Sequence, residues 1–465
     1  MKNKKSILII MLMIVVLSCD KQQKESTKKA VVFEPNWMSL RNHQTPHWFE
    51  GMRFGIYTHW GLSAVKQLPG NKDLSTEDLI PLFHPDKFNA KEWAKLYKDA
   101  GAQFAGPVAW HGSDYKHWDS DISNFNMVDN GPGLDFVGEM EKAIKAEGMK
   151  YMVSLHSGWN KEWLAYGQEV VNKYQPDIFW VDAGFGGTKK AVNKKNYTGG
   201  KLSGKDNTIG DLPSNLQKQF IASFYNDAIN KNREVEFVYK QFDIPPGIGT
   251  RDIENGLLQD VQYDFWMTDI DMNIHQDNIY TPENGTWFYI EGRPLKNANT
   301  IVDMLADVVS KNGCLLLNIP PKADGSFSKE VSNTLLDVGD WLKINSEAIY
   351  NAVPWSIYGE GVANFHAEGH HSDHSGKHSW TENDFRFTTG GNNIYAMCLG
   401  LPSKSTIKIR ALGAAGKLDD RISSVEILGY SGKVEWNQTR EELNINIPSN
   451  LNLKHAVTFK VICSN

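Results

Sequence analysis

The stretch Asp177–Gly184, DIFWVDAG, decides the fold. It is an apolar run that ends abruptly in the carboxylate of Asp182 and continues into small residues. A buried parallel strand has this pattern when it carries an acid to the mouth of an α/β barrel, because both faces of such a strand are covered by other elements. The pattern indicates either a catalytic acid or an ordinary polar residue at a strand end, and the octapeptide alone does not separate the two.

Strands and helices alternate on both sides of this stretch. The predicted strands cover residues 53–61, 103–110, 150–155, 177–182, 234–241 and 314–319, and the predicted helices cover residues 90–101, 136–147, 162–174, 217–230, 297–310 and 329–344. This rhythm is typical of a parallel sheet or a closed barrel. We therefore predict a (β/α)8-like barrel, with no clear pattern over residues 250–290.

Beyond residue 350 the pattern changes to short alternating strands separated by Gly, Ser, Asn and Pro. Short strands of this kind are typical of a β-sandwich. The 465 residues are enough for a barrel of ordinary size and a second module. We therefore predict an α/β fold in which a catalytic domain, residues 36–350, is followed by a C-terminal β-sandwich, residues 351–465.

The first 35 residues have the composition of a targeting segment and a tether. Three lysines precede an apolar run over residues 7–17, and a Ser–Cys pair follows. This is the order of a signal peptide, and its end resembles the bacterial lipoprotein signal, in which Cys19 is lipidated; a plain secretory signal is the alternative. Residues 1–19 are thus predicted to be a lipoprotein signal peptide and residues 20–35 a polar tether. We expect the remaining chain to lie outside the cytoplasm, anchored to a bacterial membrane.

The overall charge and the remaining cysteines argue against two classes of protein. The net charge is −6, from 49 basic and 55 acidic residues, so no global positive field predicts a nucleic-acid partner. Cys314, Cys398 and Cys463 are odd in number and have no metal-type spacing. We therefore do not expect a disulfide framework.

Polar and aromatic residues follow four successive predicted strands. His59 and Trp60, His111, and His156 come at the ends of the first three strands, and Asp182 comes at the end of the fourth. Since the carboxyl ends of barrel strands meet on one face, we predict that these residues share a pocket, although a single histidine is more often structural. Imidazole and aromatic groups around an acid suit a sugar, because they bind its hydroxyls and cover its C–H faces.

Metal catalysis is the rival interpretation, because imidazoles and a carboxylate are also zinc ligands. The sequence has no HExxH or other close ligand spacing, and it has no P-loop, no GxGxxG after a strand and no GxSxG elbow. We therefore predict neither a metal site nor an organic cofactor.

A set of short motifs follows the order of one known enzyme family. They are HWG at 59–61, the segment 88–101 with the strand that ends at His111, WDS at 118–120, GP at 131–132, the strand 177–182 and, above all, VVSKNGCLLLNI at 308–319 with DG at 324–325. Together they resemble the α-L-fucosidases of glycoside hydrolase family 29 over about residues 36–355. The later strands resemble the C-terminal sandwich of that family.

The resemblance implies a retaining exo-glycosidase that releases α-linked L-fucose, or a closely similar sugar, through a covalent glycosyl-enzyme intermediate. Its nucleophile matches Asp182, and its sugar-pocket positions match His59, Trp60 and His111. His156 is also a substrate-binding candidate, because it follows a predicted strand in the same way. The implied partner is a fucose-containing oligosaccharide or polysaccharide.

A retaining mechanism also needs a second carboxyl group about 5–5.5 Å from the nucleophile. The segment RDIENG at 251–256 resembles the Asp-x-Glu-Arg-Gly segment of the family, so Glu254 is our first candidate for the acid/base residue. Glu283 is the second candidate, and Asp269 or Asp271 is the third. Alternatively, each of these residues is an ordinary solvent-exposed acid in a loop, with no catalytic role.

One departure from the family pattern lies after the second strand. The family commonly has two adjacent histidines there, whereas here Gly112 follows His111. This departure leaves open an alternative function, a non-catalytic carbohydrate-binding protein on a decayed glycosidase barrel.

Two stretches fall outside the family motifs. Residues 186–205 carry six lysines and no acidic residue. We interpret them as a flexible solvated loop or, alternatively, as a contact for an anionic glycan. Residues 365–380 carry five histidines, which either are solvated or bind a metal ion adventitiously.

Overall fold

Eight parallel strands form a closed barrel in the computed structural model of the chain, each beside the next one in sequence. They are β1 (Phe54–Thr58), β2 (Phe104–Trp110), β3 (Lys150–Leu155), β4 (Ile178–Val181), β5 (Glu236–Tyr239), β6 (Thr250–Asp252), β7 (Trp266–Asp271) and β8 (Gly313–Asn318). β1 pairs with β8 and closes the barrel. The predicted barrel is confirmed, and the strands β6 and β7 lie in the section where the sequence shows no clear pattern.

The structure describes residues 32–111, 113–156, 162–182, 214–240, 244–274, 287–361, 369, 372, 379–418, 421–451 and 454–464. Cys19, Glu283, the lysine-rich stretch and all five histidines of the histidine-rich stretch lie outside these ranges, so what we predict for them stays a prediction. Within these ranges, no helix combines the length and the apolar character that a membrane span requires.

Helices pack on the outside of the barrel. They are α1 (Trp37–Leu40), α2 (His47–Met52), α3 (Leu62–Lys66), α4 (Thr76–Leu79), α5 (Ala90–Asp99), α6 (Phe136–Ala146), α7 (Trp163–Tyr174), α8 (Ser214–Asn230), α9 (Ala298–Ser310) and α10 (Lys329–Ile349), with a short 3₁₀ turn at Ile80–Leu82. A second 3₁₀ turn, Arg410–Leu412, lies in the C-terminal part of the chain. Asp135 begins α6, because its carboxylate accepts a hydrogen bond of 2.9 Å from the backbone N–H of Gly138. The buried faces of these helices and the outward side chains of the strands form one core.

Side chains that point into the barrel form a second core, which includes Tyr57, Phe104, Met152 and Trp180. β2 and β3 approach each other closely at Gly106, where an added Cβ atom would lie 1.7 Å from the carbonyl oxygen of Met152. A residue with a side chain does not fit there. The glycine therefore allows these strands to pair closely just below the histidines that follow them.

Short antiparallel strands form the C-terminal part of the chain. They are β9 (Val353–Glu360), β10 (Phe385–Gly390), β11 (Asn393–Cys398), β12 (Thr406–Ile409), β13 (Arg421–Ile427), β14 (Trp436–Gln438), β15 (Leu443–Asn446) and β16 (Val457–Ser464). One sheet has the order β13-β16-β11-β10-β9 and the other β12-β15-β14, and side chains of both sheets share one core. The predicted sandwich is confirmed, and the architecture changes between Ile349 and Val353 within one compact unit, Phe33–Asn465.

A buried ion cluster joins the barrel to the sandwich. The carboxylate of Asp307 in α9 accepts from Lys311 Nζ (2.8 Å) and from Arg386 Nε in β10 (2.5 Å), and all three side chains are almost completely buried. Burial alone would raise the pKa of Asp307, but the two cations outweigh it and hold that pKa below its usual value. One carboxylate therefore balances two buried cations at this junction.

Replacing Asp307 tests how strongly the barrel and the sandwich depend on this cluster. Asp307→Asn removes the carboxylate that both buried cations contact, so we expect a loss of about 3–5 kcal/mol in the free energy of unfolding, measured in urea. Asp337→Asn is the matched control, because Asp337 pairs with Lys454 of the sandwich at 2.6 Å but both side chains are exposed. The control should lose less than about 1 kcal/mol, and equal losses in the two variants would contradict this account.

Candidate active site

The ends of neighbouring strands bring three histidines together at the mouth of the barrel. His59 follows β1, His111 follows β2 and His156 follows β3. The ring centroids are 5.0 Å apart for His59 and His111, 5.2 Å for His59 and His156, and 4.8 Å for His111 and His156. The three imidazoles therefore share one pocket, as the strand-end pattern predicts.

Asn318, the last residue of β8, fixes the orientation of His59. The Nδ2 of Asn318 donates to Asp271 Oδ1 (2.9 Å) and to the carbonyl oxygen of Trp287 (2.8 Å). Since both partners only accept, Asn318 Oδ1 faces His59 and accepts from its backbone N–H and from Nδ1–H, at 3.2 and 2.9 Å. The Nε2 of His59 then carries a bare lone pair, and this buried atom has no hydrogen-bond partner in the described part of the chain.

His156 contacts the candidate nucleophile directly. Its Nδ1 lies 2.9 Å from Asp182 Oδ2. Because a carboxylate only accepts, Nδ1 carries the proton, and in the neutral ring Nε2 is the bare nitrogen. Among the described residues, His156 Nε2 has no hydrogen-bond partner, so this ring orients Asp182 on one side and offers an acceptor on the other.

Burial keeps two of these rings neutral. Burial and the neighbouring imidazoles lower the pKa of His59 well below its usual value, and the same causes lower the pKa of His111 to about 3. His59 also stacks on Trp287, with ring centroids 5.3 Å apart. At neutral pH the imidazoles of His59 and His111 are therefore uncharged, and the ring of Trp287 lies against that of His59.

Lys240, the residue after β5, is the cation of the site and is 5% exposed. Its Nζ lies 3.1 Å from Asp269 Oδ2, 3.4 Å from Asp182 Oδ1, 3.4 Å from Glu254 Oε2 and 3.9 Å from Asp252 Oδ2. Burial alone would lower the pKa of Lys240, but these carboxyl groups outweigh it and raise the pKa well above its usual value. Lys240 therefore stays charged and is the shared counter-ion of four acids.

The two deepest acids are fixed by the barrel interior. Asp252 accepts from Trp180 Nε1–H (3.1 Å) and from the backbone N–H of Asp269 (3.0 Å), and Asp269 accepts from the hydroxyl of Tyr57 (2.9 Å). Burial and the adjacent Asp269 raise the pKa of Asp252 well above its usual value. Burial is also the main cause of the raised pKa of Asp269. The four acids consequently do not all carry a negative charge.

The described acid/base candidates differ in their access to the pocket. Asp269 and Asp271 are completely buried, and Asp271 Oδ1 accepts from the side-chain amides of Asn273 (3.1 Å) and Asn318 (2.9 Å). Glu254, two residues after β6, keeps 19% of its side chain exposed. Of these acids, Glu254 is the one that combines exposure with a place beside Asp182 at Lys240.

Trp60 lies outside this pocket. It is 1% exposed, its Nε1–H donates to the carbonyl oxygen of Lys322 (2.9 Å), and its ring packs on Phe88 and Trp93 between the barrel and its helices. Adjacent residues of an extended chain point to opposite faces, so His59 points inward and Trp60 points outward. We therefore correct the prediction that Trp60 lines the sugar pocket.

The sequence analysis missed several residues of the site, among them Lys240 and Asn318. Both could have been found from the sequence, because each is a polar residue at the end of an apolar strand: Lys240 ends VYK and Asn318 ends LLLN. The alternation of β5 places Val238 in the barrel interior and Phe237 and Tyr239 outside, which points Lys240 inward.

Comparisons with known proteins agree with one another. The family model described as Alpha-L-fucosidase matches residues 20–76, 70–164 and 156–347, and the model described as Alpha-L-fucosidase C-terminal domain matches residues 378–462. Tissue alpha-L-fucosidase of Bos taurus is 24% identical over 455 residues, which cover 87% of this chain and 84% of the relative. Plasma alpha-L-fucosidase of Homo sapiens is 27% identical over 381 residues, which cover 72% of this chain and 75% of the relative.

Solved structures of alpha-L-fucosidases have a fold similar to that of this chain. The Thermotoga maritima alpha-fucosidase in complex with fucose has a TM-score of 0.70 at 22% identity, covering 92% of this chain and all of that one. The covalent intermediate of a GH29 alpha-L-fucosidase from Bacteroides thetaiotaomicron, trapped with 2-fluoro-fucosyl fluoride, has a TM-score of 0.65 at 18% identity. It covers 91% of this chain and 97% of that one. The similarity extends over both the barrel and the sandwich.

Removing the shared counter-ion should destabilise the chain in a pH-dependent way. Lys240→Met removes the cation that these four acids share, so we expect a loss of about 3–5 kcal/mol in the free energy of unfolding near pH 8. Without the lysine, the pKa values of Asp252 and Asp269 rise further. A carboxyl group with a raised pKa binds more protons folded than unfolded, and its contribution to stability therefore falls as the pH rises. The loss should thus be smaller at pH 5 than at pH 8.

Denaturation midpoints of the wild type and the variant across this pH range provide the measurement. Lys231→Met is the matched control, because Lys231 pairs with Asp227 at 2.9 Å on the surface of α8. It should lose less than about 1 kcal/mol. A loss in Lys240→Met that does not change with pH would contradict the shared counter-ion.

Proposed function

The chain belongs to the alpha-L-fucosidase family, and we propose that it releases α-linked L-fucose, or a closely similar sugar, from glycans with retention of configuration. The observation that carries this proposal is the environment of Asp182. One of its oxygens faces the Nδ1 of His156 and the other faces Lys240, at the mouth of a barrel whose rim is lined by imidazoles. An oriented carboxylate beside a permanent cation, in a pocket for hydroxyl groups, is suited to attack an anomeric carbon.

Two carboxyl groups carry the chemistry in this proposal. Asp182 attacks the anomeric carbon while Glu254 donates a proton to the departing oxygen, which gives a glycosyl ester on Asp182. Glu254 then removes a proton from a water molecule, and the attack of that water releases the sugar and restores Asp182. Configuration is retained because each of the two steps inverts it.

The position of Lys240 supports the choice of Glu254 as the partner. Asp182 Oδ1 and Glu254 Oε2 each lie 3.4 Å from the same Nζ, so these two oxygens are no more than about twice that distance apart. This limit is compatible with the separation of about 5–5.5 Å that retaining enzymes use. Asp182 carries the negative charge before the first step and Glu254 carries it after that step. A cation equally close to both can stabilise either state.

The imidazoles suit the binding of the sugar. The bare nitrogen of His59 can accept from a hydroxyl, and His111 and His156 each have a buried nitrogen with no partner within the described ranges. A ring nitrogen with a bare lone pair accepts a hydrogen bond from a sugar hydroxyl. The family pattern of two adjacent histidines is absent after β2, but His156 places a second ring 4.8 Å from His111.

Azide rescue with identification of the product tests both acids. Glu254→Ala should slow the hydrolysis of fucosides with poor leaving groups by about 10²–10⁴-fold. Azide should restore turnover of an activated aryl fucoside and give α-L-fucosyl azide, because azide attacks the Asp182 ester from the side that water uses. In Asp182→Gly, azide should replace the nucleophile and give the inverted β-azide. NMR spectroscopy of the products distinguishes the two.

Two results would remove Glu254 from this role. One is unchanged activity of Glu254→Ala on a substrate with a poor leaving group. The other is a β-azide product from Glu254→Ala, because an acid/base variant keeps the nucleophile and therefore keeps the configuration.

We further propose that lipidated Cys19 anchors the enzyme outside the cytoplasm of a bacterial cell. The support is the order of the first residues, in which basic residues, an apolar run and a Ser–Cys pair follow one another. Globomycin blocks the peptidase that processes lipoprotein precursors, so it should cause the unprocessed form to accumulate in immunoblots of expressing cells. Processing that continues in globomycin would contradict the anchor. Cys19→Ser serves as the control for a chain that cannot be lipidated.

A further inference from the structure

We propose that His59, His111 and His156 also form a binding site for a divalent transition-metal ion of the zinc class, and that this ion competes with the sugar for the pocket. One ring nitrogen of each histidine lies within 4.8 Å of those of the other two. The rings come from three adjacent strand ends of a rigid barrel. The spacing of the histidines in the sequence does not predict this cluster, because more than forty residues separate each histidine from the next.

The contacts behind two of the rings are those that surround metal-bound histidines. His59 donates Nδ1–H to Asn318 Oδ1 at 2.9 Å, and His156 donates Nδ1–H to Asp182 Oδ2 at 2.9 Å. A histidine that ligates a metal commonly donates its other N–H to an amide, a carbonyl or a carboxylate, which fixes the tautomer and makes the bare nitrogen more basic. Here Nε2 of both rings is buried and has no hydrogen-bond partner among the described residues.

The electrical state of the pocket also favours a cation. Asp182 Oδ2 lies 2.9 Å from His156 Nδ1, so a carboxylate stands directly behind one of the proposed ligands. An added positive charge is therefore tolerated at this end of the barrel.

The geometry needs only a small adjustment. Tetrahedral zinc with Zn–N distances of about 2.0–2.1 Å holds its nitrogens roughly 3.4 Å apart. The nitrogens of the cluster lie within 4.8 Å of one another, so they must move closer by up to about 1.4 Å when the ion binds. A fourth position then remains for water at the mouth of the pocket, as in an open zinc site.

Competition follows from the chemistry of the nitrogens. A lone pair that binds a metal ion cannot accept a hydrogen bond from a hydroxyl, so the ion and the sugar exclude each other. This part of the inference rests on the proposed function, whereas metal binding itself does not. The ion would act as an inhibitor and takes no part in the glycosidase steps.

Titration with Co²⁺ and Zn²⁺ tests the site. The reference protein is the full chain in which the five histidines of the histidine-rich stretch, His366, His370, His371, His374 and His378, are replaced by Gln, so that this stretch does not contribute. Co²⁺ should bind with one-to-one stoichiometry and give the intense visible absorption of a tetrahedral site. Zn²⁺ should displace it, as measured by calorimetry and by loss of the Co²⁺ spectrum.

Two variants and one control assign the ligands. In this background, His111→Asn and His59→Gln should each weaken Co²⁺ binding at least tenfold, and two variants are used in case one fails to fold. His47→Asn is the control, because its ring is fully exposed and it lies in α2, which precedes β1, whereas the proposed ligands follow the strands, and it should leave binding unchanged. L-fucose should displace Co²⁺ from the reference protein.

The outcomes separate this inference from the proposed function. Absence of Co²⁺ binding in the reference protein, or undiminished binding in the folded His111 and His59 variants, overturns the site. Co²⁺ that remains bound in a protein saturated with L-fucose overturns the competition. If the chain neither binds nor hydrolyses fucosides, the proposed function fails, while histidine-dependent Co²⁺ binding still supports the metal site.

Discussion

The site depends on one electrostatic constraint, a single buried ammonium group surrounded by four carboxyl groups. Lys240 lies within 3.9 Å of Asp182, Glu254, Asp252 and Asp269. Separated charges are costly to bury, so such a cluster is stable only where every member has partners in fixed places. The closed barrel provides these places, because the acids and the lysine come from the neighbouring strands β4 to β7. The nucleophile and its proposed partner are consequently held by the same residue.

The rest of the pocket is organised around that cluster by neutral hydrogen bonds. Asn318 links Asp271 to His59, and His156 links the imidazoles to Asp182. These contacts determine which nitrogen of each ring faces the pocket without a partner. That nitrogen in turn determines which kind of group the pocket binds. Hydroxyl groups of a sugar and a soft divalent cation both suit bare imidazole nitrogens, and for this reason the same three rings can serve both ligands.

Much of the fold was predictable because its strands are apolar runs that end in polar residues. The strand that ends in Asp182 and the strands before His111 and His156 have this pattern, whereas the sandwich strands were predictable from their short alternating segments. β7 could not be predicted, since Asp269 and Asp271 interrupt it, and these acids are tolerable in a strand only because partners distant in sequence bind them. For the same reason the sequence gives no indication that Lys240 pairs with Asp182. The prediction that Trp60 lines the pocket is wrong, because adjacent residues of a strand point to opposite faces and His59 already points inward.

Trapping of the glycosyl-enzyme tests the central claim, that Asp182 is the nucleophile of a retaining enzyme, most directly. A 2-deoxy-2-fluoro-L-fucosyl fluoride has a reactive leaving group, and its fluorine at C2 slows the hydrolysis of the intermediate. After incubation, proteolysis and mass spectrometry locate the added sugar. We expect one 2-fluorofucosyl group per chain, bound as an ester to Asp182. A label on another residue, or no label on a chain that hydrolyses fucosides, would contradict the account.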